Sequence, residues 1–401
     1  MPAVYHVTKS LVGGGGVYAQ RLSTALNALN RESRVLCAEN ASLKPENGLP
    51  FQADRVLAGV LNRRTLTAFH TFLRQREWAP ANTLNSGDIV HLHSITGFIG
   101  SRGLRRLIPS GAKVFWTAHN PWLFTGGCVA YEGCDRFELG CRECPILRFP
   151  LKRWTRFEYE AKNSFWLDLC VNPIANSRWM AGMLKKSPIF ASGKDIPIVP
   201  PIVDDVFSYR KNRCQGRMEF GIADDRFVIG LSARALTDTG KGIDRFFQRL
   251  PEDSGFLKRT TFILIGDGHI EIPEGVDCRM LGHVASPAKL SELYGMMDLF
   301  VSPSFMESFG MALLEAQACG TPVIAFETGG TPEAVCPVEN CRLVPNGDFR
   351  ALYGEIDRSF ESQASGQAAG KDIAEWVSER HGWRSIAEKQ IAIYEETASP
   401  C

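Results

Sequence analysis

Short apolar runs typical of β-strands alternate with helical patterns along most of this 401-residue chain. In the first half the strand-like runs are residues 4–7, 34–37, 88–92, 113–117 and 173–175. In the second half they are residues 227–231, 261–265, 299–302 and 322–326. Because repeated β-α alternation builds parallel sheets, the pattern predicts an α/β fold with one parallel sheet in each half.

A proline pair marks the predicted domain boundary. Pro200 and Pro201 precede an acidic, polar stretch, so we place one domain at residues 1–200 and a second at 201–380. The remaining segment, 381–401, contains an amphipathic helical pattern over residues 383–394. A chain of this length is long enough for two separate hydrophobic cores.

Composition and apolar patterning argue against nucleic acid as a partner and against secretion or a membrane span. The formal charge is +1 and charged residues make up 22% of the chain, which gives no reason to expect nucleic acid as a partner. The first residues lack the apolar core of a signal peptide, and no apolar run approaches the ~20 residues that span a bilayer. We therefore expect a cytoplasmic protein, in which the twelve cysteines serve as thiols or metal ligands.

Two glutamates, Glu307 and Glu315, stand in an E-x7-E spacing across a helical pattern at residues 309–318. If the whole spacing is helical, it rises ~12 Å and turns the second side chain ~80° beyond two full turns. The two carboxylates would then reach opposite ends of one elongated ligand. Backbone amides around Ser308, Phe309 and Gly310 would face an anion between them. This arrangement suits a nucleotide sugar.

The same segment resembles the donor-binding segment of retaining glycosyltransferase family 4, through E-x7-E, A-x-A-C-G-T-P-V-I-A and G-G-T-P-E. The resemblance implies the GT-B fold, with two Rossmann-like domains facing across a cleft that closes over the donor. It implies that Glu307 binds hydroxyls of the donor sugar and Glu315 those of the ribose. It also implies that the helix in 381–401 crosses back to the first domain.

Glycines 13–16 lie between the first strand-like run and a helical pattern at residues 18–29. Glycines let backbone amides approach a ligand closely, so Gly14, Gly15 and Gly16 are candidates for donor binding; a plain tight turn is the alternative. The run is not G-x-G-x-x-G, which disfavours a dinucleotide. In the family this loop lies near the donor phosphates and the acceptor.

Three histidines follow predicted strands. His119 opens the loop after residues 113–117, where open α/β sheets place ligand groups. It resembles the family histidine that contacts the donor sugar, although Asn120 replaces the usual aspartate. For His91 and His93 we favour hydrogen-bonded structural roles over contact with a ligand. The aromatic residues Trp122 and Phe124 are interpreted either as a surface on which the acceptor stacks or as anchors of the loop.

Basic residues of the second half are candidates for binding the donor diphosphate. Lys241 matches the family's G-R-L-x-x-x-K-G pattern, whereas Arg234 departs from it because the TDTG insertion lengthens the loop. The nucleotide pocket is predicted from Gly266, His283 and Val284, where backbone groups would read the base.

Four cysteines cluster with the spacing C-x5-C-x6-C-x2-C: Cys128, Cys134, Cys141 and Cys144. Four thiolates suit tetrahedral zinc, an iron–sulfur cluster uses the same atoms, and uncoordinated thiols are the third reading. We predict a structural metal, with zinc as the candidate. The segment resembles a colanic-acid-type subgroup of family 4 associated with bacterial exopolysaccharides.

Bases and aromatics interleave over residues 147–166, which is typical of a peripheral membrane contact near a lipid-linked acceptor and equally of a solvated helix face with core aromatics.

No D-x-D motif occurs, so we expect no catalytic metal. The resemblance implies a retaining transfer to a saccharide or lipid-linked acceptor. A phosphorylase, a nucleotide-sugar epimerase and a non-enzymatic scaffold are the alternatives. The sequence does not predict the donor sugar, the base or the oligomeric state.

Overall fold

The computed structural model describes residues 2–37, 84–130, 133–145, 147, 151–191, 195–209, 214–252, 254–362 and 367–397. The chain forms two compact units, Met1–Ile202 with Arg384–Cys401, and Val203–Trp383. The division after Ile202 lies beside the proline pair chosen from the sequence. The resemblance implied that the helix in residues 381–401 returns to the first domain. In the structure, the first unit includes the chain from Arg384 onward.

The first unit contains a five-stranded parallel sheet in the order β2-β1-β3-β4-β5. Its strands are β1 (Val4–Val7), β2 (Ser33–Leu36), β3 (Ile89–Leu92), β4 (Lys113–Ala118) and β5 (Asn172–Ala175). Its helices in the described ranges are α1 (Gly14–Ala28), α2 (Ser101–Leu107), α3 (Trp154–Asp168) and α4 (Arg178–Lys186), with 3₁₀ turns at Pro121–Phe124, Asp135–Leu139 and Leu151–Arg153. Every residue of β1 and β3 is buried, as expected for central strands covered on both faces.

The second unit contains a six-stranded parallel sheet in the order β11-β10-β9-β6-β7-β8. Its strands are β6 (Phe227–Ala235), β7 (Thr260–Asp267), β8 (Cys278–Met280), β9 (Leu299–Ser302), β10 (Val323–Glu327) and β11 (Arg342–Pro345). Its helices in the described ranges are α5 (Cys214–Glu219), α6 (Ile243–Gln248), α7 (Pro287–Met296), α8 (Met311–Ala318), α9 (Thr331–Ala334), α10 (Phe349–Glu361) and α11 (Gln367–His381), with a 3₁₀ turn at Leu257–Arg259.

Alternate residues of the second sheet enter two different hydrophobic clusters. Val228 and Ile263 belong to one cluster, and Ile229 and Leu264 belong to the other. Because successive side chains of a strand point to opposite faces, apolar material covers the sheet on both sides. This burial explains why the strands read as continuous apolar runs in the sequence.

The final helix, α12 (Trp383–Glu396), packs on the first unit from Arg384 onward. Tyr394 is 1% exposed and its hydroxyl lies 2.6 Å from Nδ1 of His91. Lys113 Nζ donates to the backbone oxygen of Thr397 at 2.7 Å, just beyond the helix. An amphipathic pattern predicted this helix because its buried stripe, including Ile386, Ala387 and Tyr394, recurs at helical spacing.

Each strand-like run of the sequence overlaps an observed strand, and the structure adds β8 and β11. Both lie at the edges of the second sheet, where β8 is half-buried to exposed over its three residues. An edge strand covers less apolar surface, so its sequence carries a weaker signal.

Candidate functional site

In each sheet the direction in which successive strands are added reverses at one point, between β1 and β3 in the first sheet and between β6 and β9 in the second. In the first sheet β1 lies between β2 and β3, and in the second sheet β6 lies between β7 and β9. Open α/β sheets bind ligands outside the carboxyl ends of their strands at such switch points. The loops after β1 and β3 hold glycines 13–16 and Ser94, while the loops after β6 and β9 hold Lys241 and Glu307. Each unit therefore offers a candidate half-site.

The loop that carries Lys241 is packed against the loop that carries Glu307. Lys241 ends a turn in which its amide donates to the Asp238 carbonyl at 2.9 Å, and the Phe305 amide donates to the Gly240 carbonyl at 2.9 Å. Gly242 has φ 68°, and a Cβ there would lie 2.2 Å from the Pro303 carbonyl oxygen. Only glycine fits this close approach and this backbone conformation.

Lys241 and Glu307 form an ion pair at the switch point of the second sheet. Lys241 Nζ lies 2.5 Å from Glu307 Oε1, and the side chains are 30% and 19% exposed. Desolvation acts to lower the pKa of Lys241, but the Glu307 carboxylate outweighs it, so the pKa is raised. Lys241 is therefore cationic at neutral pH. The structure brings together two residues that the sequence assigned to the diphosphate and the donor sugar.

A glycine turn holds the Glu307 loop from its other side. The Gly330 amide donates to the Glu307 carbonyl at 3.1 Å, and a Cβ at Gly330 would lie 2.3 Å from the Ser308 carbonyl oxygen. Thr328 Oγ1 donates to the Phe305 carbonyl at 2.9 Å. The G-G-T-P-E motif thus fixes the backbone that presents Glu307.

The helical span between the two glutamates is shorter than predicted. Gly310 has φ 109° and ψ 64°, and α8 begins only at Met311. Residues with this left-handed conformation interrupt an α-helix, so the prediction of a helix from residue 309, and the ~12 Å rise derived from it, is wrong. Gly310 instead forms the N-cap of α8, which has no side-chain cap and no acidic residue in its first turn.

The other donor-site candidates near α8 have distinct environments. Glu315 lies on α8 and is 8% exposed. The Phe309 ring is 2% exposed and packs edge-on against His381, with ring centroids 5.4 Å apart, so the ring itself is not accessible to a ligand. Ser308 is half-buried.

Arg234 and the predicted base-reading residues lie at the ends of β6, β7 and β8. Arg234 is exposed in the irregular end of β6, whose pairing register shifts between Ser232 and Ala235. The Gly266 amide already donates to the Gly282 carbonyl at 2.9 Å. His283 is exposed, and Val284 packs against the core.

The glycine loop of the first unit forms the start of α1. Gly13 is the N-cap, without a side-chain cap and without an acidic residue in the first turn. Gly14 is exposed and has open space around its Cβ position, whereas a Cβ at Gly15 would lie 2.1 Å from Ser94 Oγ and 3.3 Å from His119 Cδ2. The loop is thus packed directly against the ends of β3 and β4.

Three other helices of the two units begin on capping side chains. Ser177 caps α4, Ser286 caps α7 and Asp348 caps α10, each accepting from a backbone amide of the first turn. A capped terminus has satisfied amides, whereas the amides at the start of α1 and α8 lack such an acceptor. The helices α2, α3, α6 and α9 also begin without a side-chain cap, so the missing cap leaves room for an anion at the two switch points but does not single them out.

A chain of three histidines runs from the centre of the first sheet to His119. His6 Nδ1 lies 2.8 Å from His93 Nε2, and His93 Nδ1 lies 3.0 Å from His119 Nε2. Burial lowers the pKa of His6 and His119 to about 3 and that of His93 well below its ordinary value. No sequence feature joins His6 to this site, because a histidine on a buried strand has no motif around it.

His91 has the hydrogen-bonded structural role predicted for it. Its Nδ1 lies 2.6 Å from the Tyr394 hydroxyl, and its Nε2 lies 2.7 Å from Thr117 Oγ1. In the described part of the chain, the ring nitrogens of His6, His91 and His93 form the group of ligand-type atoms within 4.8 Å of one another. Both nitrogens of His91 and of His93 already have hydrogen-bond partners, so a metal ion does not fit this group.

The aromatic residues after β4 are anchors of the core. Trp122 and Phe124 are 1% and 0% exposed, so the acceptor-platform reading is wrong for both. In the tract 147–166, Tyr159, Phe165 and Trp166 are likewise buried. Phe157 of the same tract is 59% exposed, so the tract contains both core aromatics and an aromatic on a solvated helix face. No helix in the described ranges is long and apolar enough to cross a membrane.

The four clustered cysteines are not disulfide-bonded in the structure. Desolvation raises the pKa of Cys128, and Cys144, Cys141 and Cys134 raise it further, which shows that the four lie near one another. Burial raises the pKa of Cys141 to about 11, against a hydrogen bond of 3.1 Å from the Gly126 amide to its sulfur. No three of these sulfurs lie within 4.8 Å of one another.

A buried cation accompanies these thiols. Lys162 is 0% exposed, lies 4.2 Å from the centre of the Trp122 ring and donates to the Trp122 carbonyl at 2.7 Å. It acts to lower the pKa of Cys128 and Cys141. A cation and an N–H···S hydrogen bond are environments that stabilise thiolates.

Comparison with known proteins identifies the fold class first. The structure of Anabaena HepE in complex with UDP and glucose has a TM-score of 0.59 to this chain, with 15% sequence identity, and the match covers 99% of this chain and 100% of that one. The two parallel-sheet units are those of the GT-B fold.

The family follows from two adjacent sequence models. Glycosyltransferase Family 4 matches residues 12–207, and Glycosyl transferases group 1 matches residues 226–362. Together they cover most of the chain, which belongs to the glycosyltransferases that these models describe.

The curated relatives that the chain resembles carry the names of different enzymes. A D-inositol 3-phosphate glycosyltransferase of Segniliparus rotundus is 28% identical over 233 residues, 55% of this chain and 51% of that protein. The chain thus spans about half the length of this relative. An N-acetyl-alpha-D-glucosaminyl L-malate synthase of Bacillus anthracis is 24% identical over 403 residues, 96% of this chain and 94% of that protein.

Proposed function

We propose that the protein transfers a sugar from a nucleotide-diphosphate sugar to a saccharide or lipid-linked acceptor, with retention at the anomeric carbon. The observation that carries the proposal is the 2.5 Å contact of Lys241 with Glu307 at the switch point of the second sheet. A nucleotide sugar requires a cation for its diphosphate and an acceptor for its sugar hydroxyls, and this pair supplies both. The complex of HepE with UDP and glucose supports this donor class.

The ion pair leaves bonding capacity for a ligand. An ammonium donates about three hydrogen bonds and a carboxylate accepts about four, so one mutual contact satisfies neither group fully. Lys241 would donate to diphosphate oxygens, while Glu307 would accept from hydroxyls of the donor sugar. Pairing also holds Lys241 in place before the ligand arrives.

Catalysis in this proposal is electrostatic and positional. The leaving diphosphate gains negative charge in the transition state, and Lys241, Arg234 and the amides at the start of α8 would stabilise it. Gly310 leaves those amides without a side-chain cap. We propose retention because the chain resembles a retaining family, and a front-face path through an ion-pair-like transition state achieves it without a protein nucleophile. Detection of the product's anomeric configuration by NMR tests it.

The remaining site residues have assigned roles in the same proposal. Glu315 would bind the ribose hydroxyls, and His119 would contact the donor sugar. Gly14, Gly15 and Gly16 would approach the donor phosphates through their backbone. Gly266, His283 and Val284 would border the base.

An acceptor-dependent release assay tests the function. Nucleoside diphosphate should appear only when donor and acceptor are both present. Release without an acceptor would contradict transfer, and so would interconversion of donor sugars without release. Absence of binding to every nucleotide tested would favour a non-enzymatic scaffold. The acceptor panel should contain saccharides, lipid-linked saccharides, inositol phosphate and malate, because the last two occur in the names of the relatives.

We infer the biological setting from the cysteine-rich segment, whose sequence resembles enzymes of bacterial exopolysaccharide synthesis. A cytoplasmic protein that works at the inner face of the membrane follows from a lipid-linked acceptor. Cosedimentation with anionic vesicles tests the membrane contact, and Phe157, which is 59% exposed on α3, is the residue to substitute. Loss of binding in Phe157→Ser would support the contact, and no binding by the unaltered protein would contradict it.

We also propose that Cys128, Cys134, Cys141 and Cys144 hold a structural zinc ion. All four donors are thiols, and the Gly126 amide and Lys162 provide a setting for thiolates. Tetrahedral zinc with bonds of about 2.3 Å needs sulfurs about 3.8 Å apart, so binding requires the loop to draw together further. The site has no role in transfer.

A metal assay on protein purified without added zinc tests this site. One equivalent of zinc is expected, and Cys134→Ser should remove it together with some thermal stability. Cys278→Ser, a half-buried cysteine of the second unit, is the matched control and should keep the metal. Protein without stoichiometric metal would contradict the proposal.

A further inference from the structure

The N–H protons of the hydrogen-bonded histidines His6, His93 and His119 can be arranged in only two ways. Each ring is neutral near pH 7, because burial lowers the pKa of all three, and a neutral imidazole has one N–H and one acceptor nitrogen. The contacts of 2.8 Å and 3.0 Å are both hydrogen bonds only if every N–H points the same way along the chain. The state of one ring therefore determines the other two.

The inner end of the chain selects between the two states. His6 Nε2 is buried and has no hydrogen-bond partner among the described residues. If the N–H groups pointed inward, this atom would carry an unpaired buried N–H; if they point outward, it carries only a lone pair. Orphaned buried N–H groups are rare in folded proteins, while an under-satisfied acceptor is less so. The outward direction is thus favoured.

We propose that His6 and His93 are positioning residues that hold His119 in the tautomer with its proton on Nδ1. His6 Nδ1–H donates to His93 Nε2, and His93 Nδ1–H donates to His119 Nε2. His119 then presents Nδ1–H as a donor at the carboxyl end of β4. Its partner would be a hydroxyl or phosphate oxygen, and this part of the inference rests on the proposed sugar contact of His119.

The packing around His119 keeps this orientation. The His93 and His119 rings stack with centroids 5.3 Å apart, and the Tyr18 ring meets His119 edge-on at 4.8 Å. A Cβ at Gly15 would lie 3.3 Å from His119 Cδ2, so the glycine loop bounds the ring on another side. A flip of the ring would break the contact with His93 within this packing.

Nitrogen NMR of the whole protein with ¹⁵N-labelled histidine tests the tautomer without any ligand. Protonated and unprotonated ring nitrogens resonate at well-separated frequencies, and His119→Gln assigns its signals. The expected result is a proton on Nδ1 of His119, whereas an unconstrained histidine in water favours Nε2. A proton on Nε2 of His119, or a metal ion bonded to His6 or His93, would overturn the proposal.

Two substitutions at His93 separate the role of the chain from a merely structural one. His93→Phe keeps the ring but removes the donor, so His119 should shift to the Nε2 tautomer. His93→Gln supplies an amide N–H and should restore the Nδ1 tautomer. If His119 keeps the same tautomer in His93→Phe, the proposal is overturned.

Kinetics then test the link to transfer. Loss of one neutral hydrogen bond to the donor should lower kcat/KM for the donor about twofold to tenfold in His93→Phe, with recovery in His93→Gln. Unchanged kcat/KM together with the predicted tautomers would leave the histidine chain standing and contradict the sugar contact of His119.

Discussion

The two switch points have the same topology but opposite chemistry. In the second unit the loops after β6 and β9 hold a charged pair, Lys241 and Glu307, partly exposed to solvent. In the first unit, the residues at the ends of β1, β3 and β4 include neutral histidines joined by hydrogen bonds. The second unit thus offers charged groups at its switch point, whereas the first unit offers neutral hydrogen-bonding groups.

The charged half-site should give the largest effect. Lys241→Ala removes the cation that would stabilise the departing diphosphate, and turnover should fall about 10²- to 10³-fold. Steady-state kinetics with saturating donor measure it. Lys289→Ala is the matched control, because Lys289 lies on α7, contacts Glu219, Glu292 and the Phe220 ring, and should keep full turnover. Full turnover in Lys241→Ala would contradict a role of Lys241 in stabilising the negative charge of the departing diphosphate.

The carboxylate on α8 should affect binding more than chemistry. Glu315→Gln keeps the size of the side chain but weakens hydrogen bonds to ribose hydroxyls, so donor affinity should fall about tenfold. Calorimetric titration with nucleoside diphosphate checks this. Glu292→Gln, an exposed glutamate on α7, serves as control. Equal affinities in the three proteins would contradict the ribose role.

Substitutions of the adjacent glycines Gly14 and Gly15 distinguish packing from ligand contact in the first unit. Gly15→Ala introduces a Cβ that would lie 2.1 Å from Ser94 Oγ, and overpacking of this kind costs about 1–3 kcal/mol of stability. Gly14→Ala meets no atom within 4 Å and should leave stability unchanged. If the loop approaches the donor phosphates, Gly14→Ala nevertheless weakens donor binding. Denaturant unfolding and donor titration of both variants separate packing from ligand contact.

The two half-sites should lose stability at opposite ends of the pH scale. The pKa of His6 and of His119 is about 3 in the folded chain, below its ordinary value, so the unfolded chain binds more protons between those values. Their contribution is complete above about pH 6.5 and is lost as the pH falls, by about 1.4 kcal/mol per pH unit for each group.

The pKa of Lys241 is raised, so its contribution is present below its ordinary value and is lost as the pH rises through the folded-state value. The free energy of unfolding, measured from pH 7.5 to 5 and again above pH 10, checks both directions. A free energy that stays flat from pH 7.5 to 5 would contradict the burial of neutral histidines.

Much of the second half-site could be predicted from sequence, because its charged residues stand in loops between strong strand signals. Lys241, Glu307 and the glycine turn at Gly330 lie where the motifs suggested. The helix start could not be predicted, since the left-handed backbone of Gly310 leaves no mark on the apolar spacing of the segment. His6 was missed for a different reason: hydrogen bonds between strands that are distant in sequence leave no local pattern.

Thermal stabilisation by nucleoside diphosphate tests the central claim that Lys241 and Glu307 form a donor-diphosphate site. Binding to the folded state raises the Tm by mass action. The account predicts a clear rise in Tm for the unaltered protein and for Lys289→Ala, and the loss of most of that rise in Lys241→Ala. The same rise in all three proteins would contradict it.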